Sequence, residues 1–218
     1  MNTRAVILDL DGTLLNTLDD LARCMNTVLE RRSFPVHPVH AYRQWVGDGL
    51  EKLVKRSLPA RLGGDSEILS SCVQAMRQEY SRRWKEKTRP YPGIMELLQA
   101  LTARSIKLSV LSNKPHEFTC QMVREFFPSI FFEVVLGERA GVPRKPDPQA
   151  ALEIARALGT PPEKFFYVGD TNTDMETAKA AGMLAVGVLW GFRDAKELLA
   201  SGAHVLIGEP MELLQHLH

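Results

Sequence analysis

The hydrophobic pattern of this chain opens with an apolar, β-branched run at residues 6–8, which predicts a strand buried on both faces of a parallel sheet. From residue 90 onward, extended and helical patterns alternate strictly. Further strands are predicted at 107–111, 131–135, 165–168, 184–188 and 204–207. The helices of this part are predicted at 93–104, 116–126, 148–158, 172–181 and 194–200. Such alternation is typical of an α/β fold, here a Rossmann-like parallel-sheet core with helices on both faces.

The segment between the first strand and residue 90 differs, because it has helical periodicity and no strand signal. Its helices are predicted at 15–32, 38–46, 49–58 and 66–87. In the last of them one apolar stripe runs at helical spacing, formed by Ile68, Leu69, Cys72, Val73, Met76, Tyr80 and Trp84. We therefore expect an all-helical cap domain at 15–89, inserted into an α/β core formed by 1–14 and 90–218. Since the chain leaves the core and returns to it, the junctions near 13–17 and 87–92 have to lie close together.

Composition narrows the classes of function. The chain has 218 residues, 44% hydrophobic and 24% charged, and its net charge of +1 gives no reason to expect binding to nucleic acid or to a membrane. No apolar run approaches the roughly 20 residues that a membrane span needs, and the first strand begins too early to leave room for a signal peptide. Cys24, Cys72 and Cys120 are scattered singly, so we expect reduced thiols in a cytoplasmic protein. A monomer and a homodimer are both open.

Two aspartates follow the first strand. Asp9 and Asp11 are two residues apart, so on an extended strand their carboxylates point to the same side at its C-terminal end. Open α/β sheets bind ligands at that edge, and Gly12 allows the turn that follows. Two like charges this close repel each other unless a cation or a shared proton relieves them. The alternative is a plain Asp-Gly turn that Asp11 merely caps.

Polar residues also follow the other predicted core strands, at the same edge of the sheet. In chain order they are Ser112, Asn113 and Lys114, then Lys145, and then Asp170 and Asp174. With the first two aspartates, this edge holds four carboxylates and few compensating cations, which calls for a divalent metal with oxygen ligands. Mg²⁺ is the natural candidate when a substrate brings phosphate oxygens.

Four of these segments, in this order, resemble the motifs of the haloacid dehalogenase-like phosphatase superfamily. Asp-Leu-Asp-Gly-Thr at 9–13 is similar to the first motif and Ser112 to the second. Lys145, within Arg-Lys-Pro-Asp-Pro, is similar to the third, and Gly-Asp-Thr-Asn-Thr-Asp at 169–174 to the fourth. Each segment alone is common, but four in order at predicted strand ends argue against coincidence. The helical insert also lies where this family places its helical cap.

The resemblance implies a role for each carboxylate. Asp9 would attack phosphorus and form an aspartyl-phosphate intermediate, which splits hydrolysis into two steps. Asp11 would protonate the leaving alcohol and then take a proton from water. Mg²⁺ would be held by Asp9, Asp170 and the backbone carbonyl of Asp11, where it would offset charge between the nucleophile and the phosphate. Asp174 would support these ligands.

The resemblance also implies contacts to the phosphoryl group. Ser112 would donate to a phosphoryl oxygen, and Lys145 would neutralise the phosphoryl oxygens and hold Asp9 in line. Thr13 and Asn113 are expected to contribute to substrate binding.

Some of these assignments have simpler alternatives. Ser112 could cap the next helix. Lys114 could be the phosphate partner, with Lys145 a solvated loop charge. Asp174 could be an early-helix residue favoured by the helix dipole. A regulatory module phosphorylated on its first aspartate is a further alternative, but it would have no use for an acid–base carboxylate two residues later.

The cap segment carries the signal for the substrate. Gly47, Asp48, Gly49 and Lys52 lie between two predicted cap helices, in a stretch that looks like the cap loop of phosphoglycolate phosphatases. Glycines there would let backbone amides approach an anion, whereas the simpler interpretation is a helix–helix turn. Asn16 stands where relatives commonly carry an acidic residue. The leading substrate is 2-phosphoglycolate, and the alternatives are another sugar or acid phosphate, pyrophosphate, or a phosphosugar mutase reaction.

Overall fold

The computed structural model describes residues 4–217. In chain order its strands are β1 (Ala5–Leu8), β2 (Leu15–Asn16), β3 (Arg89–Pro90), β4 (Lys107–Pro115), β5 (Val134–Glu138), β6 (Phe165–Gly169), β7 (Leu184–Val188) and β8 (Val205–Ile207). Its α-helices are α1 (Leu18–Glu30), α2 (Leu50–Ser57), α3 (Ser66–Arg83), α4 (Ile94–Ala103), α5 (His116–Phe126), α6 (Gln149–Ala157), α7 (Asn172–Ala180) and α8 (Ala195–Ala200). Short 3₁₀ helices lie at Val39–Gln44, Pro162–Lys164 and Pro210–His216.

The central sheet has six parallel strands in the order β5-β4-β1-β6-β7-β8. β1 pairs with residues 107–110 of β4 on one side and with 165–168 of β6 on the other. All four residues of β1 are buried, as their unbroken apolar character predicts. The predicted α/β fold with a parallel sheet is confirmed. Its topology brings the carboxyl ends of β1, β4 and β6 to one edge.

Side chains that alternate along β1 divide the core in two. Val6 and Leu8 pack in the larger cluster, which also takes in the apolar residues of α4 and of the helices between β2 and β3. Ala5 and Ile7 pack in the second cluster, with α6 and α7. Helices therefore cover both faces of the sheet, and the strand ends are its accessible edge.

The helical insert leaves and re-enters the core at one place. β2 and β3 pair antiparallel, with Leu15 opposite Pro90 and Asn16 opposite Arg89. Asn16 is exposed in this pair. The ends of the insert thus lie side by side. The exact division into 15–89 and a core of 1–14 with 90–218 stays a prediction, and residues 1–3 and 218 of that core lie outside the described residues.

A buried carboxylate holds the returning chain. Asp20, near the start of α1, is 1% exposed. It accepts bonds from the backbone N–H of Lys87, at 3.0 and 2.9 Å, and from the backbone N–H of Thr88, at 2.8 Å. The hydroxyl of Thr88 donates to it as well, at 2.9 Å. These bonds tie the end of the insert to its beginning.

Several predicted elements differ from the structure in bounds or type: the helix predicted at 66–87 ends at Arg83, and the strand predicted at 107–111 extends to Pro115. The helix predicted at 15–32 begins only at Leu18, because the two residues at 15–16 pair as β2. The stretch at 38–46 forms a 3₁₀ helix rather than an α-helix. The strand predicted at 131–135 lies at Val134–Glu138, since the ring of Phe132 packs on that of Phe127, with 6.1 Å between the ring centroids, and Phe131 is 72% exposed.

Across residues 4–217, no helix combines the length and apolar character needed to span a membrane.

Candidate active site

Three carboxylates meet at the edge of the sheet. Asp9 directly follows β1, Asp170 directly follows β6, and Asp174 lies in the first turn of α7. One oxygen of each lies within 4.8 Å of the other two. All three residues are at most 4% exposed. The structure therefore places these predicted metal ligands where one cation could contact all of them.

Glycines give these carboxylates their room. A Cβ added at Gly12 or Gly191 would lie 2.2 Å from an atom of the Asp170 side chain, and one added at Gly169 would lie 2.3 Å from Asp174. Gly12 also has a φ of +92°, which a residue with a side chain rarely adopts. The backbone can approach the carboxylates this closely only because no side chain stands between them.

Hydrogen bonds fix two of the carboxylates. The hydroxyl of Thr13 donates to Asp170 Oδ1 at 3.0 Å, and the backbone N–H of Phe192 donates to Oδ2 at 2.8 Å. Asp174 Oδ2 accepts from the backbone N–H of Thr171 at 3.1 Å, which is a bond of the capping box of α7, and from the Thr171 hydroxyl at 2.7 Å. Thr13, predicted to bind substrate, thus orients a carboxylate. Asp174 caps its helix and still offers Oδ1 to the site.

Lys145 lies among the carboxylates. Its Nζ donates to Asp9 Oδ1 at 2.9 Å, to Asp174 Oδ1 at 2.6 Å and to the carbonyl of Leu111 at 3.2 Å. These three bonds match the three N–H donors of an ammonium group. Its backbone N–H donates to Asn113 Oδ1 at 2.9 Å, and Asn113 Nδ2 returns a bond to its carbonyl at 3.1 Å. Asn113 thereby holds the loop that presents Lys145.

Burial works against the charges of this cluster. It raises the pKa of Asp9 to about 7, although Lys145 acts in the opposite direction, and Asp174 adds to the rise. Burial and the two neighbouring carboxylates also hold the pKa of Asp170 well above its ordinary value. Burial opposes the charge of Lys145 as well, but Asp174 and Asp9 keep its pKa well above the usual range. One ammonium does not offset three carboxylates, so a divalent cation that prefers oxygen ligands, such as Mg²⁺, fits this site.

Asp11 faces a different cation. Lys114 Nζ donates to both carboxylate oxygens of Asp11, each at 3.0 Å, and lies 4.5 Å from the centre of the Tyr80 ring, which belongs to α3. The Lys114 side chain is 4% exposed. The hydroxyl of Ser112 accepts from the Lys114 N–H at 3.3 Å. Ser112 does not cap α5, because Pro115 occupies that position.

A cavity of about 40 Å³ separates this sheet edge from the cap helices. From the core it is lined by Asp9, Asp11, Ser112, Asn113, Lys114, Pro115 and Phe118. From the insert it is lined by Leu21, Val46, Gly47, Gly49, Leu50, Leu53, Arg77 and Tyr80. Asn113 Nδ2 donates to the carbonyl of Gly47 at 3.0 Å, which fixes the cap loop to the core. The predicted Gly47 and Gly49 therefore lie over the carboxylates.

Asp48 and Lys52 lie apart from the cavity lining. Asp48 Oδ2 is 2.5 Å from Arg56 Nη2, and Lys52 Nζ is 3.7 Å from Asp48 Oδ1. Although burial alone would raise it, Arg56 and Lys52 hold the pKa of Asp48 below its ordinary value. The Lys52 side chain is 58% exposed. The structure brings these two residues to each other, and their role in substrate binding stays a prediction.

Arg193 is a site-supporting residue that the sequence did not reveal. Its guanidinium donates to the carbonyls of Val46, at 3.0 Å, of Gln44, at 3.3 Å, and of Arg43. In return, Arg43 Nη2 donates to the carbonyl of Gly191 at 2.5 Å. A single arginine in a loop gives no local pattern, so only the tertiary structure shows that it joins the cap to the core.

Comparison with known proteins defines the class. Residues 6–188 match the model of the family described as haloacid dehalogenase-like hydrolase. Since this match spans most of the chain, the chain belongs to that family, and it is a hydrolase of the phosphatase class.

The names of individual relatives specify a substrate as well as a class of reaction. The phosphoglycolate phosphatase of Nitrosospira multiformis is 34% identical over 197 residues, covering 89% of this chain and 87% of the relative. That of Nitrosococcus oceani is 29% identical over 210 residues, covering 95% and 93%. A solved structure from Lactobacillus delbrueckii subsp. bulgaricus, of a protein proposed to be a phosphoglycolate phosphatase, superposes with a TM-score of 0.93 at 30% identity, covering 100% and 99% of the two chains.

Proposed function

We propose that this chain is a Mg²⁺-dependent phosphatase that hydrolyses a small phosphomonoester through an aspartyl-phosphate, with 2-phosphoglycolate as the leading substrate. The observation that carries the proposal is the environment of Asp9. Its carboxylate is bonded to Lys145, lies within reach of a cation shared with Asp170 and Asp174, and lines a cavity beside Asp11. This environment supports the proposal that a nucleophile, a metal site and an acid–base carboxylate act at one point.

In the first step, an oxygen of Asp9 attacks phosphorus, and the bond from phosphorus to the leaving oxygen breaks. Lys145 holds Oδ1 of Asp9 at 2.9 Å, so Oδ2 is the oxygen that remains for the attack. For this step Asp11 has to carry a proton, which it gives to the leaving oxygen, so that the product departs as a neutral hydroxyl. Mg²⁺, when bound, offsets the negative charge that the nucleophile and the phosphate bring together.

In the second step, Asp11 takes a proton from water as the water oxygen bonds to phosphorus. The bond between phosphorus and Asp9 breaks, which releases inorganic phosphate and restores the carboxylate. Ser112, which is 4% exposed and lines the cavity, would donate to a phosphoryl oxygen. The cap helices exclude bulk water from this step.

Support for the substrate comes from two sources. Cap residues such as Leu50, Leu53 and Tyr80 face Asp9 and Asp11 across the cavity, which favours a small leaving group. The relatives from Nitrosospira multiformis and Nitrosococcus oceani are named phosphoglycolate phosphatases. A screen of small phosphomonoesters that includes pyrophosphate and sugar phosphates would rank 2-phosphoglycolate against the alternatives by kcat/KM.

The Asp9→Asn variant tests the mechanism. With 2-phosphoglycolate and Mg²⁺, we expect kcat to fall by about a thousandfold or more, because an amide cannot act as the nucleophile. Intact-mass measurement of acid-quenched wild-type protein should show the gain of one phosphoryl group, and the variant should show none. EDTA should abolish activity, and added Mg²⁺ should restore it.

Asp19→Asn is the matched control, because Asp19 is an exposed aspartate of α1. It should turn over at the wild-type rate. Wild-type activity of Asp9→Asn would rule out the nucleophile, and full activity after chelation would rule out the metal.

A further inference from the structure

Two buried lysines lie at the site, and their ammonium groups differ in what they contact. Lys145 has three protein acceptors, one for each N–H donor. Within residues 4–217, the hydrogen-bond acceptors of Lys114 Nζ are the two carboxylate oxygens of Asp11. Lys114 lines the cavity, whereas Lys145 does not. Of the two, Lys114 is therefore the lysine with a donor left for a ligand.

The position of Lys114 places it beside the leaving group. In the proposed function, Asp11 gives its proton to the leaving oxygen, so that oxygen has to lie within hydrogen-bond distance of Asp11. Lys114 Nζ is 3.0 Å from the same carboxylate. Most of the remaining lining is apolar and includes Leu50, Leu53 and Phe118. A charged group of the substrate close to its leaving oxygen would meet Lys114 and little other polar surface.

A residue of the cap, Tyr80, also contacts the ammonium group of Lys114. The ring of Tyr80 lies 4.5 Å from Lys114 Nζ, a distance at which a cation is attracted to an aromatic face. Tyr80 is 3% exposed, its hydroxyl donates to Met122 Sδ at 3.8 Å, and its ring packs edge-on against Phe118 at 5.3 Å. A cation so poorly solvated interacts strongly with an anion.

We infer that Lys114 is a specificity-determining residue that pairs with a carboxylate on the carbon next to the leaving oxygen. The site would then select phosphate esters of small 2-hydroxy acids. This inference rests on the proposed function and names the residue behind its substrate class. Arg77 also lines the cavity, but its side chain is 43% exposed and its Nη1 lies 3.1 Å from Glu117 Oε1, so it is a partly solvated residue already paired with a protein carboxylate.

Two nearly isosteric esters test the inference. In 2-phosphoglycolamide an uncharged amide replaces the carboxylate of 2-phosphoglycolate, and the measured quantity is the ratio of kcat/KM between the two. The wild-type enzyme should prefer the acid by about tenfold or more, as a charge-assisted bond provides. Lys114→Met should lower this ratio by about tenfold, mainly through KM, and Lys114→Arg should retain part of the preference.

Arg77→Met is the matched control, because it removes the other cation of the cavity lining; its ratio should stay within about twofold of wild type. Inhibition of the wild-type enzyme by glycolate and by glycolamide makes the same comparison without a mutation, and glycolate should bind more tightly. The inference is overturned if Lys114→Met slows both esters equally, or if the wild-type enzyme does not distinguish them. Hydrolysis of neither ester by the wild-type enzyme would instead overturn the proposed function.

Discussion

At the scale of single residues, Asp9 is placed where its negative charge is unfavourable without a cation. Burial raises its pKa to about 7, and the charge of Lys145 only partly counteracts that effect. Asp170 and Asp174 surround it with further carboxylates. The same crowding that makes the site unfavourable for an empty, fully ionised centre makes it favourable for a divalent cation. A cost in stability without metal is therefore part of the design of the site.

This cost has a defined pH dependence in the presence of EDTA. In the folded protein Asp9 holds its proton up to about pH 7, whereas its ordinary value is 3.8. Folding therefore favours the protonated form of Asp9, and the resulting loss in free energy of unfolding grows as pH rises from about 4 to above 7. Asp9→Asn has no such charge, so its free energy of unfolding should exceed that of wild type by up to about 4 kcal/mol at pH 8 and by little at pH 4. Urea denaturation at several pH values measures the difference.

Asp19→Asn, at an exposed position of the same chain, should not reproduce the gain in free energy of unfolding that Asp9→Asn shows between pH 4 and pH 8. A gap between Asp9→Asn and wild type that is equal at pH 5 and pH 8 would mean that Asp9 ionises normally in the folded, metal-free protein. Saturating Mg²⁺ should narrow the gap at pH 8, since the cation compensates the carboxylates.

The sequence could predict the site residues at strand ends, but not the residues whose positions depend on tertiary contacts. Asp9 and Asp170 follow apolar runs directly, so their shared edge is implied by the parallel topology. Their roles stay predictions. Asp20 and Arg193 bond to backbone groups far along the chain, and no spacing in the sequence records such contacts. The place of Lys114 was likewise undecided, because only the folded chain pairs it with Asp11.

At the scale of elements, the loop between the 3₁₀ helix at Val39–Gln44 and α2 is clamped to the core. Arg193 donates to the carbonyl of Val46 in this loop and to those of Arg43 and Gln44 at the end of the 3₁₀ helix. Its Nε lies 3.1 Å from Glu197 Oε1. Its side chain is 5% exposed. Because the same loop carries Gly47 and Gly49 over the cavity, the clamp determines how the cap meets the carboxylates.

Arg193→Met should loosen this loop. Removing the guanidinium leaves the carbonyls of Arg43, Gln44 and Val46 without their partner, which should lower the free energy of unfolding by about 2–3 kcal/mol. Hydrogen exchange at residues 43–49 should become faster, and KM should rise more than kcat falls. Exchange rates in this segment that match wild type would show that Arg193 does not hold it. Arg61→Met, at an exposed arginine of the insert, should leave the free energy of unfolding, the exchange rates at residues 43–49 and KM unchanged.

The sequence predicts an element well where its hydrophobic pattern is long. It predicts an element poorly where pairing with another strand determines whether and where that element forms. The apolar stripe along α3 and the apolar runs of the central strands have clear periodicity. β2 has two residues, and only its partner β3 makes it a strand. β5 begins three residues later than predicted, because an edge strand takes its register from β4, where Ser109 lies opposite Val134. Apolar residues at 131–132 precede the strand instead of forming it.

At the scale of the whole molecule, neither unit builds the cavity alone. The core supplies the charged residues Asp9, Asp11 and Lys114, whereas the lining from the insert is mostly apolar, with Arg77 as its one charged residue among those described. We therefore expect the core to determine the reaction and the insert to limit the size of the leaving group. This separation explains why the strand-end residues predicted a reaction class, while the substrate was left open by the sequence.

Leu50→Ala tests that division of labour. Leu50 is a half-buried residue at the start of α2 that lines the cavity, so shortening it should admit a bulkier leaving group. For the ratio of kcat/KM between 2-phospholactate, which adds one methyl group, and 2-phosphoglycolate, we expect a rise of about threefold to tenfold. Leu69→Ala, at a half-buried leucine of α3 outside the cavity lining, should leave the ratio unchanged although it removes the same atoms. Equal ratios in wild type and Leu50→Ala would mean that the insert does not limit the leaving group at this position.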